Sequence, residues 1–206
     1  MTRFEQLVKE RRSARNFHPE HKITKEELDS MFELVKFGPS AYNLQHTNYI
    51  VVTDPEIKKQ LKVAANHQHK VETASAVIIV LGDKEAYKKA ADINKGLLML
   101  GVYTEQEFDY IVNDIISMYE TRGPEFQRDE AIRNASLSAM LFMLVAKDKG
   151  WDTCPMIGFN PERVRDILNI SEQYKIVLMI TLGKEKVESR HPRGYRKPVN
   201  EFVTFI

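Results

Sequence analysis

The chain has one cysteine, Cys154, so it can assemble neither a disulfide framework nor a cysteine-based metal site. That scarcity fits a reducing compartment. Charge of one sign is also missing. Thirty basic and 29 acidic residues leave a formal net charge of +1, which argues against a general nucleic-acid binder. No apolar run approaches the roughly 20 residues needed to span a bilayer, and the opening Met1-Thr2-Arg3-Phe4-Glu5-Gln6 is too charged for a secretory signal. A soluble, cytoplasmic protein is expected. Gly-x-Gly-x-x-Gly and P-loop patterns are absent, which disfavours a dinucleotide held on a Rossmann motif. The pairs His18/His21 and His67/His69 lack a carboxylate set to complete a metal site, so no metal is expected. No Pro-, Gly- or Ser-rich linker divides the 206 residues and no repeat is visible, so one domain over 1–206 is expected.

What is present begins with Arg11-Arg12-Ser13-Ala14-Arg15. Three guanidiniums and a hydroxyl lie within five residues, behind a helix predicted over ~3–11 from Phe4, Leu7 and Val8. Arginine suits phosphate because its planar fork donates two parallel hydrogen bonds. A basic run at a helix end also complements the helix dipole. Thr24-Lys25-Glu26-Glu27 reads as a capping box opening a helix that carries Leu28, Met31, Phe32 and Val35 and stops at Gly38-Pro39. Tyr49–Val52 reads as a buried strand and Ala76–Leu81 as the clearest one, with a short helix carrying Ile57 and Leu61 between them. Residues ~84–122 and ~128–149 read as helices. The second is apolar on every face from Ala139 to Ala146, which predicts burial all round, at the domain centre or a subunit interface. Asn160-Pro161 opens another helix, and Ile176–Ile180 is the third internal strand. The tail, 184–206, is first polar and basic and then ends Phe202-Val203-Thr204-Phe205-Ile206, which needs a surface to cover.

Three further segments carry chemistry. In Gly38-Pro39-Ser40-Ala41-Tyr42-Asn43-Leu44-Gln45, small residues allow close backbone approach, while Ser40, Asn43 and Gln45 mix donors and acceptors. Cys154-Pro155-Met156-Ile157-Gly158-Phe159 reads as a turn suited to packing on a planar ring, with Cys154 a small core hydrophobe rather than a nucleophile. Arg193-Gly194-Tyr195-Arg196-Lys197-Pro198 is a second basic cluster, either a solvated tail or a convergent half of the phosphate site.

In this order, Arg-Arg-Ser-x-Arg, Pro-Ser-x-x-Asn-x-Gln, Pro-x-x-Gly-Phe and Tyr-Arg-x-Pro resemble the FMN-dependent nitroreductase family over nearly the whole chain. The resemblance implies an α+β fold, a small central mixed sheet flanked by helices, in an intertwined homodimer with FMN at the interface. It implies that Arg11, Arg12, Ser13 and Arg15, with Arg193 and Arg196 from the tail, meet the phosphate and ribityl chain. It places Pro39, Ser40, Asn43 and Gln45 on the flavin, partly from the other subunit, and Pro155, Met156, Ile157 and Gly158 behind the ring. Lys70 falls at the pyrimidine edge. His67 stands where relatives carry Asn, one position from Asn66, and His46 stands where they often carry Pro. The implied activity is NAD(P)H-dependent, ping-pong reduction of nitroaromatics or quinones. An FMN reductase of activated C=C bonds or free flavin is the alternative, as is a flavin carrier or sensor. No side chain is assigned as a catalytic acid.

Overall fold

The computed structural model describes residues 1–206. Its frame is one four-stranded sheet in the order β1-β2-β4-β3, with β1 Thr47–Val52, β2 Ala76–Asp83, β3 Asp152–Met156 and β4 Tyr174–Gly183. All three strand pairings are antiparallel. The mixed character expected of the sheet is confined to one isolated parallel bridge, Ser13 with Thr153.

β2 is buried along its whole length because both faces are covered. Ile78 and Val80 point into a layer with Ile180, Leu182, Phe142 and Ala139. Val77, Ile79 and Leu81 point into the opposite layer, with Leu61, Val71, Val164 and Met179. The first layer is closed by α2 (Lys25–Val35) and by the second half of α6 (Glu105–Asp148). The second is closed by α3 (Pro55–Ala64), α4 (His69–Thr73) and α7 (Pro161–Leu168). α1 (Arg3–Glu10) and α2 both open on the capping boxes their sequences specify, at Thr2 and Thr24.

Four expectations need correction. The strand read as Tyr49–Val52 starts at Thr47 and lies at the sheet edge, so only Val52 is fully buried. Cys154–Met156, read as part of a turn, belongs to β3; Pro155, which has no N–H to donate, is tolerated there because β3 is also an edge. The stretch 84–122 is not one helix. A short 3-10 turn (Ala86–Lys89) leads into α5 (Ala90–Met99), which ends before Gly101 (φ 69°), and Thr104 caps a new start. Finally, α6 runs past the gap expected near 122–128, broken only at Gly123 (φ 74°, ψ −172°) before Pro124.

Burial all round does not hold for Ala139–Ala146 within one protomer. Ala139, Phe142, Met143, Val145 and Ala146 are buried, but Met140 is 41% exposed and Leu137, a turn earlier, 49%. The outer side of this helix is left for something else to cover.

β2 and α6 touch at Gly82. A Cβ there would sit 2.5 Å from the Ala131 carbonyl oxygen. Because that oxygen belongs to a helix backbone and cannot swing aside, Gly82→Ala forces sheet and helix apart. We expect a loss of about 1–3 kcal/mol of stability, read as a lower urea midpoint at unchanged m value. An unchanged midpoint would show that the contact is softer than the packing implies.

Candidate functional site

The segment after α1 is laid down by backbone pairing. Arg11 caps α1, its N–H donating to the Leu7 carbonyl. Ser13 then bridges Thr153, the Ala14 N–H donates to the Thr153 carbonyl, and Phe17 bridges Glu185. The His18 N–H reaches the Lys184 carbonyl and the Lys186 N–H returns to Asn16. Arg11–Asn16 is thereby clamped between the outer edge of β3 and the chain leaving β4.

The two basic clusters, about 180 residues apart, converge here. A cavity of about 210 Å³ is lined by Arg11, Arg12, Ser13 and Arg15 from one side and by Arg190, His191, Arg193 and Arg196 from the other. Its only carboxylate, buried Glu185, accepts from Arg190 Nε at 2.5 Å and from the Arg15 N–H at 3.3 Å. Arg12 donates to the His191 carbonyl, Arg193 to the Lys9 and Arg11 carbonyls, and Arg196 to the Gly194 and Tyr195 carbonyls. None of these three reaches an acid. Arg11 Nη1 is buried with no hydrogen-bond partner at all. Burial lowers the Arg11 pKa, and the like charges of Arg193 and Arg196 lower it further. Such a bowl of cations with an orphaned N–H favours an anion, and a phosphate supplies both the charge and the acceptors.

A second groove continues from the first, sharing Ser13 and Arg15 and adding Ala14, Asn16, Gln68, His69, Lys70 and Cys154. Lys70 Nζ donates to Cys154 Sγ at 3.3 Å, so the lysine points into the groove. Above it, Asn66 and His67 both adopt left-handed backbone, at φ 53° and 57°. That turn sends Asn66 Nδ2 to the Gly158 carbonyl at 3.2 Å, joined by Gln68 Nε2 at 3.0 Å. Asn66, rather than His67, is therefore tied to the 155–158 segment, and the exposed His67 ring lines neither cavity. Next to Gly158, Ile157 is 80% exposed and forms an apolar shelf open to a flat ligand.

Pro39, Ser40 and Gln45 are elsewhere. They line a separate cavity with Phe32, Thr47, Tyr49 and Ser138, while Asn43 and Tyr42 face an apolar slot beneath α5. The loop is held by Ala41 N–H donating to Asn134 Oδ1 (2.8 Å) and Gln45 N–H donating to Ser40 Oγ (3.0 Å). Tyr42, Asn43 and Gln45 all have positive φ, at 52°, 54° and 50°. Left-handed backbone outside glycine costs on the order of 1 kcal/mol or more per residue and gathers at functional sites. This loop feeds β1 at one edge of the sheet, whereas Cys154 sits in β3 at the other edge and Ser13 just beyond it. Three strand spacings separate the edges, about 14 Å. One protomer does not bring the two groups together.

His46 is turned inward instead. It is 1% exposed, its Nε2 lies 3.1 Å from the Tyr119 hydroxyl, and its Nδ1 has no partner. Desolvation lowers its pKa to about 4, against the opposing pull of Asp83. The folded state thus holds the ring neutral where the unfolded chain protonates it near 6.5. The stability this provides is present above pH ~6.5 and is lost as pH falls towards 4. The loss should total about 3 kcal/mol. Urea unfolding at pH 7, 5.5 and 4 should show this decline, and His46→Phe should flatten it. An equal slope in the variant would assign the acid sensitivity to other groups.

Glu185, Arg190 and His191 were not found from the sequence. The basic character of the 184–206 tail was visible, but Glu185 joins the site only through its pairing with Phe17.

Comparison with known proteins supplies the family. The family model described as "Nitroreductase family" matches residues 8–184. The Bacillus subtilis protein MhqN, named as an NAD(P)H nitroreductase, is 63% identical over the full length of both chains. The chain therefore belongs to the nitroreductase family, a family of oxidoreductases. A crystal structure of the B. subtilis nitroreductase ydfN superposes with a TM-score of 0.97 at 62% identity over 98% of each chain. A nitroreductase from Exiguobacterium sibiricum, solved in complex with FMN, superposes with a TM-score of 0.90 at 31% identity over 100% of this chain and 98% of that one. The CLA biosynthesis enone reductase of Lactiplantibacillus plantarum is 30% identical over 188 residues, covering 90% of this chain and 87% of its own. No helix of the protein is long and apolar enough to cross a membrane.

Proposed function

We propose that the protein is an FMN-dependent oxidoreductase that takes electrons from NAD(P)H and passes them to electron-poor acceptors such as nitroaromatics or quinones. The observation that carries this is the arginine bowl with its unpartnered Arg11 Nη1, opening into the Lys70 groove. Arg11, Arg12, Ser13, Arg15, Arg193 and Arg196 would hold the FMN phosphate and ribityl chain. Pro155–Gly158 would back the ring, braced by Asn66 and Gln68. Bound FMN supplies the hydride chemistry, and the protein supplies position and electrostatics. Lys70 would hold positive charge at the pyrimidine edge, where negative charge grows on reduction. Donor and acceptor would share one exposed face and so alternate, giving ping-pong kinetics.

The assembly follows from the same geometry. Residues 1–206 form one domain whose Pro39–Gln45 loop lies too far from its own groove to serve it. A second copy supplies that loop, in a homodimer built on the outer side of α6. Residues 184–206 act as an arm onto the partner. Phe202 is 65% and Phe205 90% exposed in the protomer, as such an arm requires. An obligate interface of this kind should bury more than roughly 2,000 Å² in total.

The test begins with colour. The purified protein should be yellow, release FMN on denaturation, and oxidise NAD(P)H faster when a quinone or nitroaromatic is added. A colourless protein that does not take up added FMN would overturn the proposal. A yellow protein without turnover would make it a flavin carrier or sensor. The similarity to an enone reductase motivates one further acceptor, a conjugated enone. Preference for it over quinones would reassign the substrate class while leaving the FMN site intact.

A further inference from the structure

The side-chain ammonium of Lys70 has one hydrogen-bond partner in the structure, the thiol sulfur of Cys154, and no carboxylate lies within ion-pair distance of it. Sulfur is an unusual choice, because a soft thiol is a weak acceptor for an ammonium group. The surroundings make sense of it. Lys70 is the second residue of the five-residue helix α4, directly after the left-handed Asn66–His67 turn, and its long stem has little else to fix it. Cys154 is rigid by contrast. It is 5% exposed and sits in β3 opposite Thr181, whose hydroxyl donates to the Cys154 carbonyl. The thiol is itself directed, donating towards the Pro155 carbonyl at 3.8 Å, which leaves sulfur lone pairs for Lys70.

We infer that Cys154 is a positioning residue that anchors the Lys70 ammonium in the groove while leaving its charge and its remaining donors free for the flavin. The inference rests on the reading of Lys70 as the cation at the pyrimidine edge. A carboxylate at position 154 would anchor the lysine more tightly but cancel the charge that a reduced ring needs nearby. An alanine would keep the charge but let the side chain drift into solvent. A neutral acceptor on a fixed strand satisfies both demands. It also gives the chain's only cysteine a role that needs no nucleophilic or disulfide chemistry.

The experiment is a redox titration of the FMN-loaded protein in five forms: wild type, Lys70→Ala, Cys154→Ala, Cys154→Ser and Lys70→Ala/Cys154→Ala. Lys70→Ala should shift the balance towards oxidised flavin about a hundredfold, about 60 mV lower for a two-electron couple. Cys154→Ala should shift the same balance about tenfold, about 30 mV lower. Cys154→Ser restores an acceptor and should stay close to wild type. Loss of Cys154 in the Lys70→Ala background should change nothing further, because there is no ammonium left to position. A wild-type potential in Lys70→Ala would overturn the placement of Lys70 at the ring, and the inference with it. A shifted Lys70→Ala beside an unshifted Cys154→Ala would overturn the anchoring role alone. Additive shifts in the double variant would also overturn it, showing that the sulfur acts on the flavin directly. Bound FMN per chain and thermal midpoint, measured on each form, separate these effects from misfolding, and Cys154→Val, which keeps the bulk but offers no acceptor, replaces Cys154→Ala with the same expected shift if the alanine is unstable.

Discussion

Arg11→Ala should weaken FMN binding by about ten- to 150-fold, the equivalent of losing one charge-assisted hydrogen-bond set worth about 1.5–3 kcal/mol. The same substitution should not destabilise the protein without FMN. The Arg11 guanidinium is partly desolvated, has a buried unpartnered nitrogen, and lies near the like charges of Arg193 and Arg196. Removing it relieves that repulsion, so the apoprotein should melt at or slightly above the wild-type temperature while the holoprotein melts lower. This opposite response distinguishes a ligand-binding arginine from a structural one. Arg11→Lys should recover part of the affinity, because charge remains but the bidentate fork is lost. Arg15→Ala should likewise weaken FMN binding. Fluorescence of released flavin gives the affinities, and scanning calorimetry with and without FMN gives the rest. An affinity unchanged in Arg11→Ala would remove the phosphate from this bowl.

Deleting residues 199–206 should release FMN and dissociate the dimer together. The deleted segment contains no arginine, and Arg193 and Arg196 stay in place. Any loss of FMN must therefore come through assembly rather than through lost phosphate contacts. Phe202, Phe205 and Ile206 have no cover within the protomer and would cross to the partner. In the proposed dimer, losing that contact would leave the Pro39–Gln45 loop of the second copy no longer held over the groove. Sedimentation equilibrium and flavin content, measured on the same samples, should fall in parallel. A truncated protein that stays dimeric and yellow would refute the exchanged arm but leave the oxidoreductase assignment standing.

Much of the local structure was legible because it is written in short-range chemistry. Thr24 and Glu27 cap α2 as their spacing predicts, Asn160 caps α7 by accepting from the Arg163 N–H, and the apolar run at Ala76 becomes the doubly covered strand. β3 was missed because an edge strand containing proline carries neither a long apolar run nor a clean alternation. Which of Asn66 and His67 meets the 155–158 segment was not legible either. It depends on two successive left-handed residues that send Asn66 to the Gly158 carbonyl and leave His67 outside.

The sequence by itself determined the parts: which segments are helix or core strand, that two arginine clusters exist, and that their order resembles one family. Those properties follow from local periodicity, capping and side-chain chemistry. Only the tertiary structure decided that the two clusters meet. The pairing of Ser13 with Thr153 and of Phe17 with Glu185 carries the chain's start to its end. It also decided that Glu185 neutralises Arg190 while Arg11 keeps a nitrogen unpaired, and that Lys70 rests on Cys154. Apart from the Glu185–Arg190 pair, which is local, each of these is a contact between residues 84 to 168 positions apart or a consequence of burial, and neither is encoded in any one stretch of chain. The position of Pro39–Gln45 at the far edge of the sheet is of the same kind, because strand order is set by how the layers pack and not by the order of the motifs.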